Sequence, residues 1–187
     1  MQNRICFNMN HIPCDDSVVM SDNLTDVFIN VLALSGAEMA RTDSEIKFIV
    51  YLSQSDQRFI GRGCVDFYIV DMPWNATTFE SDKIFLLSVI RGAKNKIGWT
   101  KLIYQPNVEL LFPMLDRFAA LINRMTVNDI PEREPNDWLI GPIRKNERLV
   151  SLGLYPAYGV DPIKEGFPRC KIHHTYLTCF GCQVCNN

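Results

Sequence analysis

The residue types best suited to chemistry gather near the C-terminal end, in Cys170-Lys-Ile-His173-His174-Thr-Tyr-Leu-Thr-Cys179-Phe-Gly-Cys182-Gln-Val-Cys185. Cys170-x-x-His173 and Cys179-x-x-Cys182 are two close-spaced donor pairs, and two such pairs supply the four ligands of a tetrahedral zinc site. A tight turn puts both donors of a pair on one ion, and Gly181 frees the backbone for it. The expected metal ligands are therefore Cys170, His173, Cys179 and Cys182, holding a structural zinc. His174 is an alternative to His173, and Cys185 to any of the thiols. The competing reading is a set of free thiols in a docked or flexible tail. A redox Cys-x-x-Cys fits less well, because no strand-then-helix context lowers the thiol pKa. The run Cys179-x-x-Cys182-x-x-Cys185 resembles part of an iron–sulfur ligand set, but the fourth cysteine is absent at the usual spacing.

Elsewhere the chemistry is sparse. The chain has 3 histidines, His11, His173 and His174, all in terminal segments, so a nucleophile such as Cys6 or Cys14 has only His11 nearby as a base. Phosphate-binding loops, dinucleotide fingerprints and HExxH strings are absent. Asp66, Asp71, Glu80 and Asp82 cluster in sequence around Trp74. Their plain reading is helix caps and core packing; together on a surface they suit a basic protein partner. These five are the expected partner-binding residues.

The elements that must position these groups follow from periodicity. Leu24, Val27, Phe28, Val31 and Leu32 share one helical face, with Gly36 as the expected stop. Residues 46–52 (IKFIVYL) and 58–70 are rich in β-branched and aromatic types, which predicts a hairpin with Gly61 and Gly63 at a bulge. Thr77-x-x-Glu80 has capping-box spacing ahead of a second helix, residues 97–104 predict a strand, and a third helix carries Leu111, Leu115, Phe118, Ile122 and Met125. Pro113 belongs in that helix's first turn, so its regular part is expected to start at Phe112. The stretch NDIPEREPND at 128–137 is the linker-like segment, and 138–143 and 149–155 have the character of short strands.

The expectation is an α+β fold with a small, partly antiparallel sheet, in the order helix, strand, strand, helix, strand, helix, then short strands. Helices pack mainly on one face. Residues 1–127 form the core, and 128–187 are an extension packed on the same domain.

The chain is long enough, at 187 residues and 47% hydrophobic, to build a core without a disulfide or metal. A net charge of −2 with no basic run beyond Arg144, Lys145 and Arg148 argues against phosphate-backbone binding. No apolar run approaches a membrane span, and the first residues do not read as a secretion signal. Together with 7 cysteines, an odd number, this points to the cytoplasm. The expected function is non-enzymatic protein binding, as in a bacterial immunity-type antitoxin that neutralises a toxic enzyme. The alternative is a zinc-stabilised regulatory or nucleic-acid-binding module built on the tail.

Overall fold

The computed structural model describes residues 2–8, 17–59, 66–95, 105–133, 138, 162–178 and 181–185. Asn3 and Ile5 turn inward while Arg4 stays exposed, the alternation that makes Gln2–Cys6 a half-buried strand, β1. It pairs antiparallel with β2 (Val18–Ser21), placing Ile5 opposite Val18 and Asn3 opposite Met20. Its other edge takes β3 (Asp66–Tyr68) in parallel, with Ile5 opposite Phe67. The sheet order is thus β2-β1-β3, and its inward residues join the hydrophobic core.

Ser21 caps the first helix, α1 (Asp22–Met39), its Oγ accepting from Leu24 N at 3.4 Å. Gly36 does not stop this helix but lies inside it. A Cβ there would stand 2.0 Å from Ile49 Cδ1, so the glycine lets α1 meet α2 closely. The Arg41 guanidinium then donates to the carbonyls of Glu38 and Ala40 at the helix end.

The expected strand at 46–52 is instead the middle of α2 (Asp43–Phe59). Its start is set by Thr42 and Glu45: Glu45 N donates to Thr42 Oγ1 at 3.2 Å, and Thr42 N to Glu45 Oε2 at 2.9 Å. This reciprocal capping box outweighs the β propensity of IKFIVYL, because Phe48 through Leu52 are buried on successive sides of one central helix. The hairpin anticipated across 46–70 is therefore replaced by a helix followed by β3, and Gly61 and Gly63 lie outside the described residues.

The α3 helix (Phe79–Lys94) starts one residue later than Thr77-x-x-Glu80 implies. Thr77 N and Oγ1 both donate to Asn75 Oδ1, and Thr78 Oγ1 reaches Asp82 Oδ2 at 2.6 Å, while Glu80 is exposed. In α4 (Gln105–Arg124) Pro113 sits inside the helix rather than in its first turn. Pro113 and Glu109, whose carbonyl its ring deprives of a donor, are both exposed, which keeps the cost small. The expected strands at 97–104, 138–143 and 149–155 lie outside the described residues, Trp138 excepted.

The order is thus β1-β2-α1-α2-β3-α3-α4, an α+β fold with a mixed sheet. It departs from the expected order at α2 and at the two N-terminal strands. Helix α1 packs against α2 and α3, and α3 against α4. Ring contacts bind the layers: Phe28 with Phe118 at 5.6 Å, and Trp74 with Phe48 at 4.9 Å and Phe79 at 5.3 Å. No helix among the described residues is long and apolar enough to cross a membrane.

Candidate metal centre

The tail builds its site from two turns. Pro168 to Leu177 folds back on itself: Leu177 N donates to Pro168 O at 2.8 Å, Cys170 N to Thr175 O at 2.9 Å and His174 N to Cys170 O at 3.0 Å. Cys170-x-x-His173 forms the tip, and His174 closes it in the left-handed region at φ 57°. The chain then reverses where Thr178 and Gly181 exchange backbone hydrogen bonds of 3.0 and 2.9 Å, with Gly181 at φ 89°. That reversal delivers Cys182 and Cys185 to the first turn. Tyr176, 4% exposed, fixes the assembly to the hydrophobic core, and the Arg169 guanidinium lies 4.4 Å from its ring centre.

Cys170, His173, Cys182 and Cys185 come together with their donor atoms all within 4.8 Å of one another. Nδ1 of His173 lies 3.9 Å from the sulfur of Cys170, 3.7 Å from that of Cys182 and 3.3 Å from that of Cys185. The sulfurs of Cys170 and Cys185 are 3.7 Å apart. A tetrahedron with metal–sulfur bonds of about 2.3 Å has edges of about 3.8 Å, so these separations suit four ligands around one small ion. Three thiols and one imidazole are a donor set for zinc rather than for calcium or magnesium, which take oxygen. These four residues can bind a metal.

The electrostatics follow from local hydrogen bonds. The Cys170 thiol is lowered to about 6, first by the backbone N–H of His173 and also by that of Ile172, which stabilise the thiolate. The Cys185 thiol is pushed up to about 11 by desolvation of its sulfur, although the residue as a whole is exposed, and by the thiols of Cys170 and Cys182 alongside. The sulfurs of Cys170 and Cys185, 3.7 Å apart, resist simultaneous ionisation, and a divalent cation would remove the conflict. Thr175 Oγ1, fully buried, approaches the Cys182 sulfur at 3.3 Å and supports it from outside the tetrad.

Of the expected ligands, Cys170, His173 and Cys182 meet here, while Cys179 lies outside the described residues. The fourth donor in the cluster is Cys185, the substitute that the sequence already offered. His174 is exposed and is not part of the group.

Of the five expected partner-binding residues, Trp74 and Asp82 are buried. Trp74 is 6% exposed and donates from Nε1 to Ile69 O at 2.8 Å, and Asp82 is 1% exposed and accepts from Ser44 and Thr78. Both are used internally rather than as surface anchors. Asp71 and Glu80 are exposed, and Asp66 lies in β3. A cleft beside Trp74, reaching Ser44, Lys47, Asn75 and Arg133, is lined among the described residues by no histidine or cysteine. Arg133 is engaged there with the backbone carbonyls of Val70, Asp71 and Met72.

No protein-family model matches the chain, and neither a curated protein nor a solved structure matches it.

Proposed function

We propose that this chain is a zinc-dependent binding module in which Cys170, His173, Cys182 and Cys185 hold one structural zinc. The observation that carries the reading is the tetrad's shape: donor separations of 3.3 to 3.9 Å, three from the imidazole nitrogen to sulfur and one between sulfurs, lie around the edge of a zinc tetrahedron with thiolate and imidazole ligands. With four protein donors no position is left open for substrate, so the metal's role is to hold the two turns as one rigid unit. That unit presents Lys171, Ile172 and His174 outward, with Ile172 73% exposed, and it is the face offered to a partner. A toxin-neutralising role has less to stand on, because two of the five residues it relies on face the core.

Metal analysis of chelator-washed chain re-equilibrated with zinc tests the proposal. One zinc per chain is expected, and cobalt in its place should show the absorption of a tetrahedral thiolate site. Cys182→Ser should lose the metal, whereas Cys6→Ser, in β1 and outside the tetrad, should keep it. Wild-type chain that takes up no zinc at neutral pH would sink the reading.

A further inference from the structure

Within the tetrad the sulfurs are unequal in access. Cys170 and Cys182 are 8% and 7% exposed, whereas Cys185 is exposed, and its sulfur is only 3.7 Å from that of Cys170. Of the three cysteines Cys185 is the one at an exposed position, so a solvent-borne oxidant approaches the cluster from its side, and a second sulfur lies within reach of disulfide bonding. Cys182 is the less favourable resolving partner, since it is held against the buried hydroxyl of Thr175.

We infer that Cys185 and Cys170 make the site a redox-controlled metal switch, in which a hydroperoxide converts the two ligands to a disulfide and so expels the metal. This rests on the zinc reading above. As a metal ligand Cys185 would be a thiolate, and this thiolate attacks one oxygen of the peroxide; the O–O bond breaks, and a sulfenic acid and hydroxide result. The Cys170 thiolate then attacks that sulfur; the S–S bond forms, the S–O bond breaks, and a second hydroxide leaves. Two electrons pass from the pair of sulfurs to the peroxide, and the hydroxides take up two protons to become water. His173 and Cys182 remain as donors, too few to hold zinc against solvent. Metal loss then leaves the two turns joined only through the Cys170–Cys185 disulfide, with His173 and Cys182 released from the common centre. Reduction by a dithiol, with zinc present, reverses the sequence.

The test uses the full chain loaded with zinc and treated with hydrogen peroxide, with released zinc followed by a chromogenic chelator and disulfides mapped by mass spectrometry without reduction. The expected result is one zinc released per chain together with a Cys170–Cys185 linkage, both undone by dithiothreitol and zinc. Cys185→His keeps four donors but removes the oxidisable sulfur, and should retain its zinc under the same treatment. The switch is overturned if peroxide leaves zinc bound, or if zinc departs while Cys185 is still a thiol. It is equally overturned if the mapped disulfide excludes Cys185. A chain that never takes up zinc instead brings down the metal reading itself, which separates the two failures.

Discussion

At the scale of single residues, the most instructive side chain is Asp82, expected to face a partner and found inside. Its carboxylate accepts from Ser44 Oγ at 2.8 Å and Thr78 Oγ1 at 2.6 Å, tying the starts of α2 and α3 together. Burial nevertheless raises its pKa above 3.8, since the two hydroxyls only partly offset desolvation. The folded chain then holds the proton more tightly than the unfolded one. Acidification from neutrality through the raised value towards 3.8 should therefore add to stability at this site, and below 3.8, where both states are protonated, the gain stays complete. Urea denaturation across that range should show this slope in the wild type and its loss in Asp82→Asn. A slope equal in the two proteins would mean that the carboxylate is not the responsible group. In the sequence Asp82 looked like an ordinary acid in a helix's first turn. Its burial depends on Ser44, 38 positions away, which no local pattern announces.

At the scale of elements, the sequence was legible where local signals and tertiary burial agree. The buried faces of α1 and α4 were readable from apolar spacing, whereas on α3 Ile84, apolar and at helical spacing, is 65% exposed. Helix α2 was misread because Phe48 to Leu52 is buried all round, which erases the period and leaves only β-branched composition. The decisive signal was Thr42-x-x-Glu45, a capping box three residues ahead of the apolar run. Thr42→Ala should accordingly cost about 0.5–2 kcal/mol in chemical denaturation, the usual range for a lost N-cap, whereas Thr77→Ala should cost less. Gly36 makes the complementary case for close packing. A methyl group there meets Ile49 Cδ1 at 2.0 Å and Cγ1 at 2.8 Å, and Ile49 is fully buried with nowhere to retreat. Gly36→Ala should destabilise by about 1–3 kcal/mol despite alanine's better helix propensity. An unchanged or raised denaturation midpoint would show that α1 and α2 can separate freely.

At the scale of the whole molecule, the question is how a small metal site communicates with the hydrophobic core. The cluster of Cys170, His173 and Cys182 was legible because soft donors at three-residue spacing are chemically distinctive, whereas the place of Cys185 beside them depends on the chain reversal at Thr178 and Gly181. Tyr176 provides the mechanical link. It belongs to the same hydrophobic cluster as the helices and the sheet, while the Arg169 guanidinium packs on its ring and donates to its hydroxyl at 2.6 Å. Zinc that binds only the folded tail should therefore stabilise the entire unit, by about 2.7 kcal/mol when free zinc stands at a hundred times its dissociation constant. The melting midpoint should rise with zinc concentration and fall on chelation. Tyr176→Ala should leave the four donors in place but cut the link, so that zinc is still taken up while the midpoint of the helical core no longer responds. If that variant melts with the same zinc dependence as the wild type, the coupling runs through other contacts of the tail, such as Phe167 and Ile163 against the core.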